Sequence, residues 1–300
     1  MASSAPPDPA FADRPLSSLN DHELATLTAQ LKDSQAQLRP LVGPLEGLEA
    51  LEEEYEPGSV FRRKVERLRN DGWASVRRCR GDGDCFYRAF ILSLLLTHVP
   101  LHPSHSAHLL AKFESLLPLL TACGFEPIVW EDFWEPLRDI LRNLAGVTDG
   151  TAGGSRLGVE GVVEKFQDQE VNSCIIVILR LLTSAYLRTN ADDFSPFLFA
   201  LEDDPRFLTE GPPDIGTFCE RHVEPVAHEA DHLQIVALTR ALSTPCRIAY
   251  LDQSGLPLGV GTADEVEVNF LEFEEDKTEV EKGVEGALLY RPGHYDIISR

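Results

Sequence analysis

Gly81-Asp82-Gly83-Asp84-Cys85-Phe86-Tyr87-Arg88-Ala89-Phe90 sets one cysteine where a tight polar turn gives way to an apolar run. The run predicts a helix with Cys85 in its first turn, where unpaired N–H groups and the positive end of the macrodipole favour an anion and so lower a thiol pKa. Gly81 and Gly83 permit positive φ in the turn, which lets backbone N–H groups approach a bound carbonyl as an oxyanion hole requires. A thiol nucleophile needs a base. Leu288-Leu289-Tyr290-Arg291-Pro292-Gly293-His294-Tyr295-Asp296-Ile297-Ile298 offers His294, and on a strand His294 and Asp296 share a face because side chains alternate. Asp296 can then orient the imidazole and stabilise the imidazolium, which completes the equipment of a cysteine hydrolase. The plainer readings are a buried apolar cysteine, a satisfied strand histidine and, for Asp82, a turn or N-cap aspartate.

The D-G-x-C-F-Y-R-A-F and R-P-G-H-Y-D-I blocks, in that order, resemble the ovarian-tumour-domain cysteine proteases, specifically the otubains. Leu179 to Leu187, Val223-Glu224-Pro225 and Glu229-Ala230-Asp231-His232 are similar to otubain segments too, so the resemblance runs from about residue 45 to the C-terminus. It implies an α+β, papain-like fold with a helical subdomain packed on a small, mostly antiparallel sheet, and a deubiquitinating cysteine isopeptidase. Cys85 is then the nucleophile, His294 the base, and Asp296 the first-ranked orienting acid. Asp82 belongs to the family's oxyanion loop, with Gly83 and Asp84 beside it, and both acids stay candidates. The implied substrate is polyubiquitin of the compact, proteasome-targeting type, and the implied partners are ubiquitin, its chains and ubiquitin-conjugating enzymes. Restraint of those enzymes without use of the cysteine is the alternative function. Asp84 departs from the family, which usually has Asn there. A carboxylate before the nucleophile disfavours the thiolate, unless it points into water and is screened.

A different chemistry competes at His228-Glu229-Ala230-Asp231-His232, which satisfies H-E-x-x-H, a zinc-peptidase pattern when both histidines lie on one helix. Apolar periodicity begins only after Asp231, however, so Asp231 is expected to cap the helix and leave His228 outside it. His98, His102, His105 and His108, interrupted by Pro100 and Pro103, are expected to form a polar loop. No cofactor or metal is expected.

The elements that must position these residues follow from composition and pattern. A 43% hydrophobic fraction over 300 residues supports a substantial core. Net charge −22 and pI near 4.7 argue against nucleic acid or an anionic membrane as the main partner. Six cysteines without paired spacing point to a reducing compartment. With no apolar leader, and with Ala89–Leu96 and Cys174–Leu182 too short to span a bilayer, cytoplasm and also nucleus are the expected location. Residues 1–18 read as a disordered tail, 19–45 as a helical arm with an N-cap at Asp21 and a narrow stripe of Leu24, Leu27, Leu31 and Leu38, and 46–300 as the catalytic domain. The arm either packs on its own domain or binds a partner, and the resemblance favours ubiquitin on the proximal side of the scissile bond. A basic helix is expected at Phe61–Arg69, its charge and that of acidic Leu48–Glu56 on solvated faces. Helices interrupted at Pro118, Pro127 and Pro136 should follow, then a loop at Gly146–Gly158 and an irregular connection at 192–216. Strands are expected at Arg247–Leu251, at Val266–Phe270 and on both sides of Pro292-Gly293, with Glu272–Glu285 as an acidic surface loop.

Overall fold

The computed structural model describes residues 38–147, 155–200, 211, 213–253, 267–273 and 286–300. The expected tail, nearly all of the arm, most of the acidic segment after Glu272 and part of the 192–216 connection lie outside these residues. In chain order the elements are β1 (Val42–Gly47), α1 (Leu48–Glu52), α2 (Val60–Asn70), β2 (Ser75–Cys79), α3 (Cys85–His98), α4 (Pro103–Ala122), α5 (Pro127–Leu144), α6 (Val159–Gln167) and α7 (Gln169–Thr189). Then come α8 (Ala191–Phe194), a 3-10 turn (Ser195–Ala200), α9 (Ile215–Phe218) running into a π turn (Cys219–Val223), α10 (His232–Leu242), β3 (Cys246–Tyr250), β4 (Asn269–Phe273), β5 (Gly286–Arg291) and β6 (His294–Ser299).

These strands form one sheet in the order β1-β2-β6-β5-β3-β4, antiparallel except where β3 lies parallel to β5. Helices packed on a mostly antiparallel sheet give the expected α+β class. The sheet begins at Val42, inside the stretch read as the end of the arm, and β1 and β2 were absent from the expected strand set. β2 is Ser-Val-Arg-Arg-Cys, whose two arginines hide its strand character; Arg77 is buried, donating to the Gly43 carbonyl, and Arg78 pairs with Glu54.

α3 is apolar around its whole circumference, the pattern of a helix enclosed by other elements. It packs between β5 and β6 on one side and α6 and α7 on the other. The main core lies there, including Phe86, Phe90, Phe113, Trp134, Leu137, Ile178, Leu179 and Ile297. A second cluster covers the opposite sheet face, where Leu48, Leu51, Val65 and Leu68 meet Val76, Leu289 and Ile298. Acidic α1 and basic α2 do not present charge only to solvent, as expected. Glu52 pairs with Arg62 (2.9 Å) and Arg69 (2.6 Å), and Glu49 with Arg69 (2.8 Å).

Several local expectations are corrected. Pro118 and Pro136 lie inside α4 and α5, and only Pro127 marks a helix start. Glu114 and Asp132, whose carbonyls the two prolines leave without an N–H donor, are solvent-facing, so water can substitute for the missing bond. The histidine-rich stretch is a loop only at 99–102, where His102 caps α4; buried His98 ends α3 and bonds the Leu94 carbonyl through Nδ1, and His105 and His108 lie in α4. Residues 191–200 are helical as well, burying Phe194 and Leu198. The apolar stretch around Cys174 belongs to 21-residue α7, long and apolar enough to cross a membrane by length and composition; here it is a mostly buried core helix.

Phe113 is fully buried and stacks on Trp134 at 5.7 Å. Phe113→Ala is expected to lower unfolding free energy by about 3–5 kcal/mol in a urea titration. A loss below about 1 kcal/mol would contradict tight packing between α4 and α5.

Candidate active site

The nucleophile candidate stands where α3 begins. Cys85 is the first helical residue and is 3% exposed, and Asp84 before it takes the N-cap position without making a side-chain cap. The turn depends on Gly83, at φ +82°, where a β-carbon would collide with the Ala227 carbonyl and lie 2.9 Å from His228 N. Gly81 presses against the imidazole: a β-carbon there would sit 3.3 Å from His294 Nδ1.

His294 opens β6 and Asp296 follows on the same strand. Nε2–H of His294 donates to Asp296 Oδ1 at 2.8 Å. Cys85 acts on the imidazole electrostatically, and with Nε2 committed to Asp296 the ring nitrogen left for the thiol is Nδ1. Asp296 is fully buried. It accepts from Cys79 N–H (2.9 Å) on Oδ1 and from Arg291 (2.6 Å) on Oδ2, which satisfies both oxygens. Burial disfavours the charged form of each partner, yet the outcome is an ion pair. The His294 pKa is raised to about 9: burial lowers it, and the hydrogen bond and negative charge of Asp296, with a contribution from the Cys85 side chain, outweigh that burial. Asp296 is held below the usual carboxylate range, as His294, Arg291 and the Cys79 N–H outweigh its burial. The arrangement keeps an imidazolium beside the thiol at neutral pH.

Asp82 is placed differently. Its carboxylate forms a bidentate pair with Arg88 of α3, at 2.9 and 2.7 Å, and accepts the Asp84 N–H at 3.1 Å. Arg88 also donates to the Arg80 carbonyl and to Asn172 of α7, so the turn is tied to the helix it feeds. Asp84 does not point into water. Its side chain is 14% exposed and Oδ1 accepts from Arg180 Nε (3.0 Å) and Nη2 (2.5 Å) and from the Ala227 N–H (3.0 Å). Of the two cases left open for Asp84, screening by water is thus not the one found, and its charge is balanced by an arginine instead. Arg88, Arg180 and Arg291 were overlooked as site residues. Each stands inside one of the motifs, and the buried Arg88 and Arg180, like the half-buried Arg291, need a partner there.

At the H-E-x-x-H segment, Asp231 caps α10 through a capping box with Gln234. His228 is thus outside the helix; its Nε2 is 3.3 Å from His222 Nδ1 and its carbonyl accepts from Arg180. Among the described residues no group of three or more His, Cys, Asp or Glu side chains is placed to hold a metal ion.

Cysteine at a helix start, a histidine–aspartate pair on one strand and a glycine turn between them agree with the comparison to known families, in which the peptidase C65 otubain profile matches residues 34–300. The chain belongs to the otubain family. It is 31% identical over 270 residues to the ovarian tumor domain-containing deubiquitinating enzyme 1 of Arabidopsis thaliana, covering 89% of this chain and 83% of the relative. Identity to ubiquitin thioesterase OTUB1 of Homo sapiens is 30% over 283 residues, 93% of this chain and 90% of that protein. A solved complex of h/ceOTUB1 with ubiquitin aldehyde and UBCH5B~Ub superposes with a TM-score of 0.72 at 26% identity, covering 93% of this chain and 97% of that one. A complex of ceOTUB1 with ubiquitin aldehyde and UBC13~Ub gives a TM-score of 0.70, also at 26% identity, over 93% and 99% of the two chains. The otubain fold expected from the motifs is thereby established.

Two outcomes follow for this otubain site. A folded-state pKa of about 9 for His294, against roughly 6.5 unfolded, stabilises the fold fully below pH 6.5, and this contribution disappears as pH rises through 9. Urea unfolding of the native chain and His294→Gln should show a stability difference that shrinks between about pH 6 and about pH 10, whereas a constant difference would contradict the ion pair. Gly83→Ala should lower Tm and slow Cys85 alkylation, because both its φ and the Ala227 backbone reject a β-carbon. Native behaviour in both assays would show that the turn tolerates the side chain.

Proposed function

We propose that the chain is a deubiquitinating cysteine isopeptidase, a ubiquitinyl hydrolase acting on ubiquitin–lysine isopeptide bonds. The carrying observation is the His294–Asp296 hydrogen bond of 2.8 Å on the strand facing Cys85, within a chain of the otubain family. In this reading the Cys85 thiolate, whose proton His294 holds, attacks the isopeptide carbonyl carbon and the carbonyl π electrons move to oxygen. The Asp84 N–H is already taken by Asp82, so the N–H groups of Gly83 and Cys85 are the loop donors assigned to the oxyanion. Collapse breaks the C–N bond, His294 gives its proton to the departing lysine amine, and a thioester remains on Cys85. Water then attacks the thioester with His294 as base, releasing the ubiquitin carboxylate and the free thiol. Asp296 orients His294 throughout, while Asp82 shapes the turn through Arg88.

Ubiquitin and polyubiquitin are the substrates in this proposal, with preference for compact, proteasome-targeting chains, and cytoplasm and nucleus are its location. A second reading, binding and restraint of ubiquitin-conjugating enzymes, is favoured by the solved complexes of similar chains, which hold UBCH5B~Ub and UBC13~Ub. Both roles can share one fold.

The test is cleavage of compact and extended diubiquitins by the purified protein beside Cys85→Ala. Cleavage of the compact form alone, abolished in the variant, is the expected result. Binding without cleavage of either, with chain synthesis still suppressed by Cys85→Ala, would replace catalysis by the second reading.

A further inference from the structure

The carboxylates around Cys85 each have an arginine of their own. Asp82 is paired with Arg88, Asp296 with Arg291, and Asp84 with Arg180. With these charges balanced, the thiol and His294 remain as the pair able to exchange a proton. The third pair differs from the others because Asp84 is bonded directly to the nucleophile residue and departs from the usual otubain asparagine, and because its arginine comes from α7, far away in sequence.

Arg180 also does more than pair. Its guanidinium lies 4.5 Å over the Tyr87 ring and donates to three carbonyls: Gly83 (3.2 Å), Val223 (3.0 Å) and His228 (2.6 Å). Gly83 belongs to the nucleophile turn; Val223 and His228 bracket the segment that packs on it. Ala227 between them has φ +57°, a left-handed conformation that a β-carbon penalises, and its N–H is turned onto Asp84 Oδ1. Asp84 and Arg180 therefore hold both sides of one contact, the Gly83–Ala227 approach that leaves no room for a β-carbon.

We infer that Arg180 is a positioning residue of the active site: it cancels the Asp84 charge beside Cys85 and clamps the nucleophile turn to the 223–228 segment. This rests on the reading of Cys85 as nucleophile. An unpaired carboxylate at position 84 would oppose the thiolate, and an unpaired guanidinium would favour it. The Asp84–Arg180 pair leaves the thiolate–imidazolium balance to His294 and Asp296. In Asp84→Asn the amide oxygen can still accept from Arg180 and the Ala227 N–H, so the turn is retained and only the negative charge is lost.

The experiment measures iodoacetamide alkylation of Cys85 against pH, read on its tryptic peptide so that the other cysteines do not contribute. The proteins are the native chain, Asp84→Asn, Arg180→Gln and the double variant, with diubiquitin turnover measured in parallel. The acid limb of the profile should move up by about one pH unit in Arg180→Gln, down in Asp84→Asn, and return close to native in the double variant. Turnover should fall about 10-fold or more in Arg180→Gln, in kcat with little change in KM, and partly recover in the double variant. Four coincident acid limbs in folded proteins would overturn the inference and leave Arg180 a structural strut. If Arg180→Gln does not fold, Asp84→Asn and the double variant decide: a downward shift in the first, reversed in the second, supports the inference, and two native profiles overturn it. Shifted limbs with no diubiquitin cleavage in any protein would refute the isopeptidase reading while leaving the electrostatic role of Arg180 intact.

Discussion

The site depends on one carboxylate that has left water. Asp296 is fully enclosed, and an enclosed charge is tolerated only when its oxygens are bonded and an opposite charge lies close. The structure meets that demand from three directions: the strand that carries Asp296 supplies His294, the end of β5 supplies Arg291, and β2 supplies the Cys79 N–H. His294 is held charged as a consequence, and its electrostatic coupling to Cys85 gives that charge its chemical use. The pairing of β6 between β2 and β5 is thus the feature of the sheet on which the histidine depends.

The thiol side is built by a different device. α3 carries its apolar residues deep between the sheet and the helices, its buried first turn included, and the half-buried polar Gly81–Asp84 turn leads into it. A glycine-containing turn is locally free, and the freedom is removed by buried arginines reaching in from helices. Arg88 reads the early part of the turn, and Arg180 reads its end together with the 223–228 segment. Long side chains anchored in packed helices position the turn more tightly than its own backbone can, as a reacting group that must be placed within fractions of an ångström requires.

The cysteine, histidine and Asp296 were legible in sequence since their signals are local: a turn before an apolar helix, and alternation along a strand. Asp231 as a helix cap was legible for the same reason, which removed His228 from any helical pairing with His232. Asp84 and Arg180 were not legible as a pair, because 96 residues separate them and only the packing of α3 on α7 joins them. β1 and β2 went unread since their charged residues find partners on each other's strands that no local pattern announces. Pro118 and Pro136 misled for the converse reason: a local breaker counts for less on the outer face of a long helix whose inner face is buried.

The central claim is that Asp296 keeps His294 protonated beside Cys85 in the resting protein. Its most direct test is an NMR titration of the His294 imidazole, with nitrogen shifts followed from acid to alkaline pH in the native chain and in Asp296→Asn. The account predicts a native midpoint near 9 that falls toward the ordinary histidine value when the carboxylate is removed. A native midpoint at or below roughly 6.5, unchanged in Asp296→Asn, would contradict it.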